Sequence, residues 1–410
     1  MSKPASRCHL EPNCNLDRAI AEKRVIICVG PGGVGKTTIS AVIALHAAMQ
    51  GRRVLVCTVD PAKRLANSLG VSELGDEASE IALEEFAALG EQPKGSLSAM
   101  MLDMKHAFDR LVPDHAPDAK TRAEILDNRF YKYFSTSLAG TQEYSAMERL
   151  YELYETTDYE LIVLDTPPTV HALDFLDAPN RLFEAIDSSA FDWLAKKSRI
   201  RVGLGIIKLG TGYVLKVLAK LTGADFLREF SAFIQSFSGM WEGFKRRAVR
   251  TKEILSGDDV AFFVISGADS VALEEARYLN ERLIEEKIGV GGFVINRVHQ
   301  SFVPQPVLCA DPAELVGRLQ AMGFVGDELG DMLALAQRLQ TNAREFHVLA
   351  NRDQAQLARL SRSVAPGTPI HKVPFFSTDI HSLVGLNRIR SELFGLSEEL
   401  APAQRIPGRL

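Results

Sequence analysis

Apolar runs of four to six residues recur along the chain at 25–29, 54–59, 97–102, 161–164, 261–265 and 292–295, with a weaker seventh at 370–373. They are rich in Val, Ile and Leu and lack an apolar–polar alternation, the pattern of strands buried on both faces. Stretches with helical spacing lie between them, notably 38–50, 271–287 and 329–361. Strands alternating with helices predict an α/β fold, a doubly wound and mostly parallel sheet. Two segments break the alternation. Residues 104–157 read as mostly helical, interrupted at Pro113, Pro117 and Gly140, and residues 181–257 read as a helical insertion. The expected organisation is an N-terminal arm (1–23), a nucleotide-binding domain in two pieces (24–180 and 258–396), an insertion subdomain (181–257) and a C-terminal tail (397–410).

Composition narrows this little. Of 410 residues, 46% are hydrophobic and 24% charged, which excludes a disordered or collagen-like chain. The net charge of −5 gives no reason to expect nucleic acid as a partner. Its distribution is uneven: from Lys196 to Lys252 thirteen Lys/Arg face three acids, net +10, so the remainder carries −15. The five cysteines, Cys8, Cys14, Cys28, Cys57 and Cys309, contain no C-x-x-C pair. Cys28 and Cys57 sit in strand-like runs and read as small buried hydrophobes. Cys8 and Cys14 flank His9, a weak metal pattern on an arm expected to fray. No signal peptide and no uncharged stretch of membrane-spanning length are seen, so a cytoplasmic protein is expected.

The chemistry concentrates after the first run. Gly30-Pro-Gly-Gly-Val-Gly-Lys36-Thr37-Thr38 fits the G-x-x-x-x-G-K-[ST] loop and stands between a strand and a helix, as that loop requires. Gly32, Gly33 and Gly35 let the backbone, with Val34, turn tightly and aim its N–H groups at phosphate oxygens. The helix that follows adds its positive end. Lys36 can neutralise the terminal phosphates of ATP, and the Thr37 hydroxyl can hold Mg²⁺. Other runs end in polar groups on the same rim, where open α/β sheets bind ligands. One ends in Asp60-Pro61-Ala62, another in Asp165-Thr166-Pro167-Pro168, a third in Asn296-Arg297 and the last in Pro374-Phe375. Asp165 has the setting of a Mg²⁺-holding acid after an aliphatic strand, and Asp60 can orient the attacking water. Asn296 offers a donor and an acceptor that match adenine, and Pro374 and Phe375 can pack on its face.

GKTT, TVDPAKRLA, DTPPTVHALDFL and INRV occur here in the order found in the ArsA/anion-transporting ATPase-like family, which includes arsenite-pump ATPases and tail-anchored-protein targeting ATPases. The chain resembles the bacterial branch of that family over about residues 24–396. The resemblance implies a dimeric, nucleotide-gated ATPase using ATP and Mg²⁺. It puts Asp60 at the water-activating switch I position, Asp165 at the head of switch II, Asn296 at the adenine asparagine, and Pro374 and Phe375 in the adenine loop.

Three departures stand out. The family's loop carries a lysine at its second position that reaches the partner's phosphates; here that residue is Pro31, which has neither charge nor N–H. Lys63 and Arg64, beside Asp60, are candidate substitute cations; a heterodimer with a lysine-bearing paralogue, or a slow homodimer, are the other solutions. The metalloid-binding cysteines of the arsenite ATPases have no counterpart, so arsenite transport is not expected. The C-x-x-C of the eukaryotic targeting proteins is absent, so no zinc-stapled dimer is expected.

Two readings of the insertion stand. Phe226, Leu227, Phe230, Phe233, Ile234, Phe237 and Trp241 recur at helical spacing. They fit a helical cap packed on the sheet, or a nucleotide-controlled surface for a hydrophobic helical client or an acidic membrane. Three functions follow: an ATPase that moves or chaperones a partner, a weakly active regulatory subunit, and a partition or metal-cluster ATPase, against which the missing cysteine pair argues.

Overall fold

A computed structural model describes residues 16–59, 64–102, 118–129, 141–166, 241–324 and 329–396, together with residues 109, 112, 131 and 132. The elements in chain order are α1 (Leu16–Glu22), β1 (Val25–Val29), α2 (Lys36–Gln50), β2 (Arg53–Thr58), α3 (Arg64–Leu69), β3 (Ser79–Glu80), a 3-10 turn (Leu83–Leu89), β4 (Ser96–Met101), α4 (Ala119–Asp127), α5 (Thr141–Thr156) and β5 (Leu161–Asp165). They continue with α6 (Trp241–Leu255), β6 (Val260–Gly267), α7 (Ser270–Glu285), β7 (Val290–Val298), α8 (Gln305–Cys309), α9 (Pro312–Ala321), α10 (Leu329–Ser363), β8 (Ile370–Pro374) and α11 (Leu383–Leu393). The strands form one eight-stranded sheet in the order β3-β4-β2-β5-β1-β6-β7-β8. Every pairing is parallel except the short antiparallel contact of β3 with β4.

This is the expected doubly wound α/β sheet, and its burial explains the missing alternation. Along β1, Ile26 and Cys28 enter one core while Val25, Ile27 and Val29 enter the other. In β2, Val54 and Val56 take the first side and Leu55 and Cys57 the second; β5 and β6 repeat the division. The first core is completed by α1, α2, α3 and α11, the second by residues of α5, α6, α7 and α10. With helices on both faces, successive residues of a strand are equally apolar. Burial pushes the thiols of Cys28 and Cys57 up to about 12, so both behave as hydrophobes; Cys309 is exposed.

Some boundaries differ from expectation. The helix after β1 starts at Lys36, two residues early, so the loop lysine belongs to its first turn. The expected arm contains α1, whose Leu16, Ala19 and Ile20 are buried in the first core. Seven residues make only two turns, too few to display the apolar stripe by which a longer helix is read. Of the expected insertion 181–257, only α6 and the residues after it are described, so its apolar stripe from Phe226 to Phe237 lies outside the described residues. No helix among those described is long and apolar enough to cross a membrane.

The first core also encloses a histidine. His46 of α2 is buried, with its ring stacked on Phe394 at 3.6 Å between centroids and 4° between planes. Burial holds its pKa below the ordinary 6.5; Asp17, 3.2 Å from Nε2, opposes that shift and Arg390 adds to it. His371 of β8 is lowered as well, by burial against the opposing charge of Asp17. The folded state therefore favours both neutral rings. Their contribution is complete above the unfolded pKa near 6.5 and declines as pH falls below it. Urea midpoints are expected to drop between about pH 7.5 and 5.5, with a shallower slope in the His46→Gln/His371→Asn double variant. Equal slopes would contradict this account.

Candidate functional site

The site lies where β1 hands over to α2. Gly30 approaches the neighbouring strand so closely that a Cβ there would stand 2.0 Å from the carbonyl oxygen of Ile265. Gly35 caps α2 with φ 96°, a left-handed conformation that favours glycine, and no side chain caps the helix. Among the described residues, the backbone N–H groups of Gly32, Gly33 and Gly35 donate to no backbone carbonyl. An uncapped helix N-terminus and a run of such donors form a receptor for an anion. Lys36 is buried, and its ammonium donates to the carbonyls of Gly30 at 2.9 Å and Pro31 at 2.8 Å. Folded back this way, the cation rests inside the curve of its own loop.

Register brings the acid to the loop. β5 lies between β1 and β2, and Asp165 is level with Cys28 on one side and Thr58 on the other. Thr166 fixes this end of β5: its N–H and hydroxyl both donate to the carbonyl of Cys28, at 3.3 and 2.8 Å. Asp165 is almost wholly buried, and its Oδ2 accepts from the hydroxyls of Thr37 at 2.7 Å and Thr58 at 2.8 Å. A carboxylate and two hydroxyls from three elements converge on one point beside the loop. These are hard oxygen donors, the set that suits Mg²⁺ rather than a softer metal. Thr37 and Asp165 both stand out in the sequence. Thr58 is given no role there although it opens the T-V-D-P segment; the signal available is a hydroxyl closing a largely apolar strand directly before Val59-Asp60-Pro61.

The other strand ends reach the same rim. Asn296 of β7 is buried, and its amide nitrogen donates to the carbonyl of Val34 in the glycine loop at 2.9 Å. Its carbonyl accepts from the Arg297 N–H at 2.9 Å. An amide nitrogen carries two hydrogens and its oxygen two lone pairs, so each retains further capacity. Arg297 has φ 58°, unusual for a residue other than glycine, and is exposed at the strand end. Pro374 is buried and pairs with Val298, while Phe375 is 41% exposed and donates its N–H to the Val298 carbonyl at 2.9 Å. Arg64 opens α3 and is exposed. Asp60 and Lys63 lie outside the described residues.

A strand, a glycine loop closing on a helical lysine, and an acid on the adjacent strand form the frame of a P-loop nucleoside-triphosphatase. The model of the family described as anion-transporting ATPase matches residues 23–310. The chain belongs to the anion-transporting ATPase family. It is similar to the ATPase get3 of Aspergillus terreus, 26% identical over 276 residues, which are 67% of this chain and 73% of that protein. With the ATPase GET3 of Kluyveromyces lactis it shares 25% identity over 299 residues, 70% of this chain and 76% of the other. With the ATPase get3 of Botryotinia fuckeliana it shares 30% over 164 residues, 40% of this chain and 44% of the other. As a member of the anion-transporting ATPase family it carries a phosphate-loop sequence on a doubly wound sheet.

Proposed function

We propose that the chain binds and hydrolyses Mg-ATP and couples nucleotide state to the conformation of a dimer and to the binding of a client or partner. The observation that carries this is the convergence of Thr37 and Thr58 on the buried Asp165 beside an uncapped glycine loop. In this reading the amides of Gly32, Gly33, Val34 and Gly35 receive the phosphates, and Lys36 leaves the carbonyls of Gly30 and Pro31 for the β/γ-phosphate oxygens. Thr37 and Asp165 hold Mg²⁺, which when bound offsets the charge of the phosphates. Thr38 continues the first helical turn at the phosphates, and Asp60 orients the attacking water. Asn296, Pro374 and Phe375 receive the adenine. The protein acts in the cytoplasm.

A second reading has its own observation. Pro31 is buried and its carbonyl accepts from Lys36, so no cation projects from this position toward a second subunit. The chain is then a weakly active, nucleotide-binding subunit of a heterodimer whose paralogue supplies the lysine. Turnover by the isolated protein separates the two, with molecular mass measured on the same sample. A homodimer that hydrolyses ATP, and slows about tenfold or more when Lys63 and Arg64 are both replaced by alanine, supports substitution by those residues. Rapid hydrolysis unchanged in that double variant removes them from the mechanism. Mg-ATP binding without turnover favours the heterodimer.

A further inference from the structure

Beyond Asn296, the same strand end carries a histidine whose geometry the phosphate chemistry does not use. His299 follows β7 directly. Its backbone N–H and its Nδ1 both meet Oδ2 of Asp353, at 3.0 and 2.7 Å. Asp353 belongs to α10, 54 residues later, and is buried. Its second oxygen accepts from Nη2 and Nε of Arg352 at 3.2 and 3.4 Å. The imidazole is held in plane by stacking on Phe375, 5.0 Å between centroids and 18° between planes, with Phe346 at 6.2 Å on α10. Its position and its tilt are thus both fixed.

An ionised carboxylate only accepts, so the bond from Nδ1 requires that nitrogen to carry the hydrogen. In the neutral ring Nε2 is then an acceptor. Among the described residues Nε2 makes no hydrogen bond, and the side chain keeps 19% of its surface exposed. The result is an oriented acceptor three residues past Asn296, beside the exposed ring of Phe375.

We propose that His299 is a specificity-determining residue for the nucleotide base, offering Nε2 to the exocyclic amino group of a 6-aminopurine and opposing the 6-oxo oxygen of guanine, with Asp353 as its positioning residue. This rests on the reading of the site as a nucleoside-triphosphate site. A 6-amino group donates to Nε2, whereas a 6-oxo oxygen sets acceptor against acceptor and leaves both unpaired. A site built around a hydrogen bond rejects the analogue that cannot make it more strongly than an apolar pocket does.

The test measures dissociation constants for Mg-ATP, Mg-GTP and Mg-tripolyphosphate with the full chain. The parent protein is expected to prefer ATP to GTP by about tenfold or more, one hydrogen bond gained and one clash avoided. His299→Phe keeps a ring against Phe375 and removes the acceptor. It should bring the ATP:GTP ratio close to one and leave tripolyphosphate affinity unchanged, which damage to the fold would not do. His299→Gln, which can offer its amide oxygen, should recover part of the ratio. Asp353→Asn should lower the ratio while retaining tripolyphosphate binding; if that variant unfolds, the His299 variants decide. A parent protein indifferent to the base, or a His299→Phe variant with the parent ratio, overturns the proposal. Failure of the parent to bind ATP and tripolyphosphate alike would instead refute the nucleotide site.

Discussion

Lys36→Ala is expected to weaken Mg-ATP binding by about 100-fold and to bring hydrolysis below detection. Hydrogen bonds to charged groups are worth about 1.5–3 kcal/mol each, and the ammonium can make more than one to phosphate oxygens. The phosphates would also lose the one cation that the loop itself carries. The fold should survive, because the ammonium donates to carbonyls of its own loop, at Gly30 and Pro31. Calorimetry with Mg-ATP, beside circular dichroism of the same sample, checks this. An alanine variant that binds as tightly as the parent would remove the phosphate site from this loop.

The second large effect is expected at Asp165. Asp165→Asn keeps the side-chain shape and one oxygen able to accept from Thr37 and Thr58, whose hydroxyls meet Oδ2 at 2.7 and 2.8 Å. What it removes is the negative charge that a divalent cation needs. Hydrolysis should fall by about 100- to 1,000-fold, the scale seen when electrostatic stabilisation of a transition state is deleted. ATP binding measured without metal should be equal to or tighter than in the parent, because a buried anion facing the phosphates has gone. That opposite sign separates a metal-holding acid from a structural one. If Asp165→Asn hydrolyses ATP with undiminished dependence on Mg²⁺, the metal is held elsewhere.

The sheet is legible in the sequence because burial on both faces leaves a strong trace. Every parallel strand lies within two or three residues of an apolar run, and the rim residues follow from where those runs end. β3 is not legible: two residues carry no periodicity, and its antiparallel contact depends on the neighbouring β4. Lys36, Thr37, Asp165 and Asn296 can be picked out because each stands at a strand end or in a loop of known spacing. His299 and Asp353 cannot, since 54 residues and a long helix separate them and only the tertiary fold makes them neighbours. The same holds for His46, whose partners Asp17 and Phe394 come from opposite ends of the chain. The strand-end placement of Asn296 is visible in the sequence, but not its hydrogen bond to Val34, which ties this part of the rim to the glycine loop.

The two margins of the sheet carry a consequence for self-association. One is a strand of two exposed residues, and the other is a five-residue strand that finishes in proline at position 374. Among the described residues, neither offers a long unpaired ladder on which another copy could add a strand, the usual route to edge-to-edge polymerisation. Two molecules of this chain are therefore expected to meet through side chains and helices rather than through one continuous sheet shared between them.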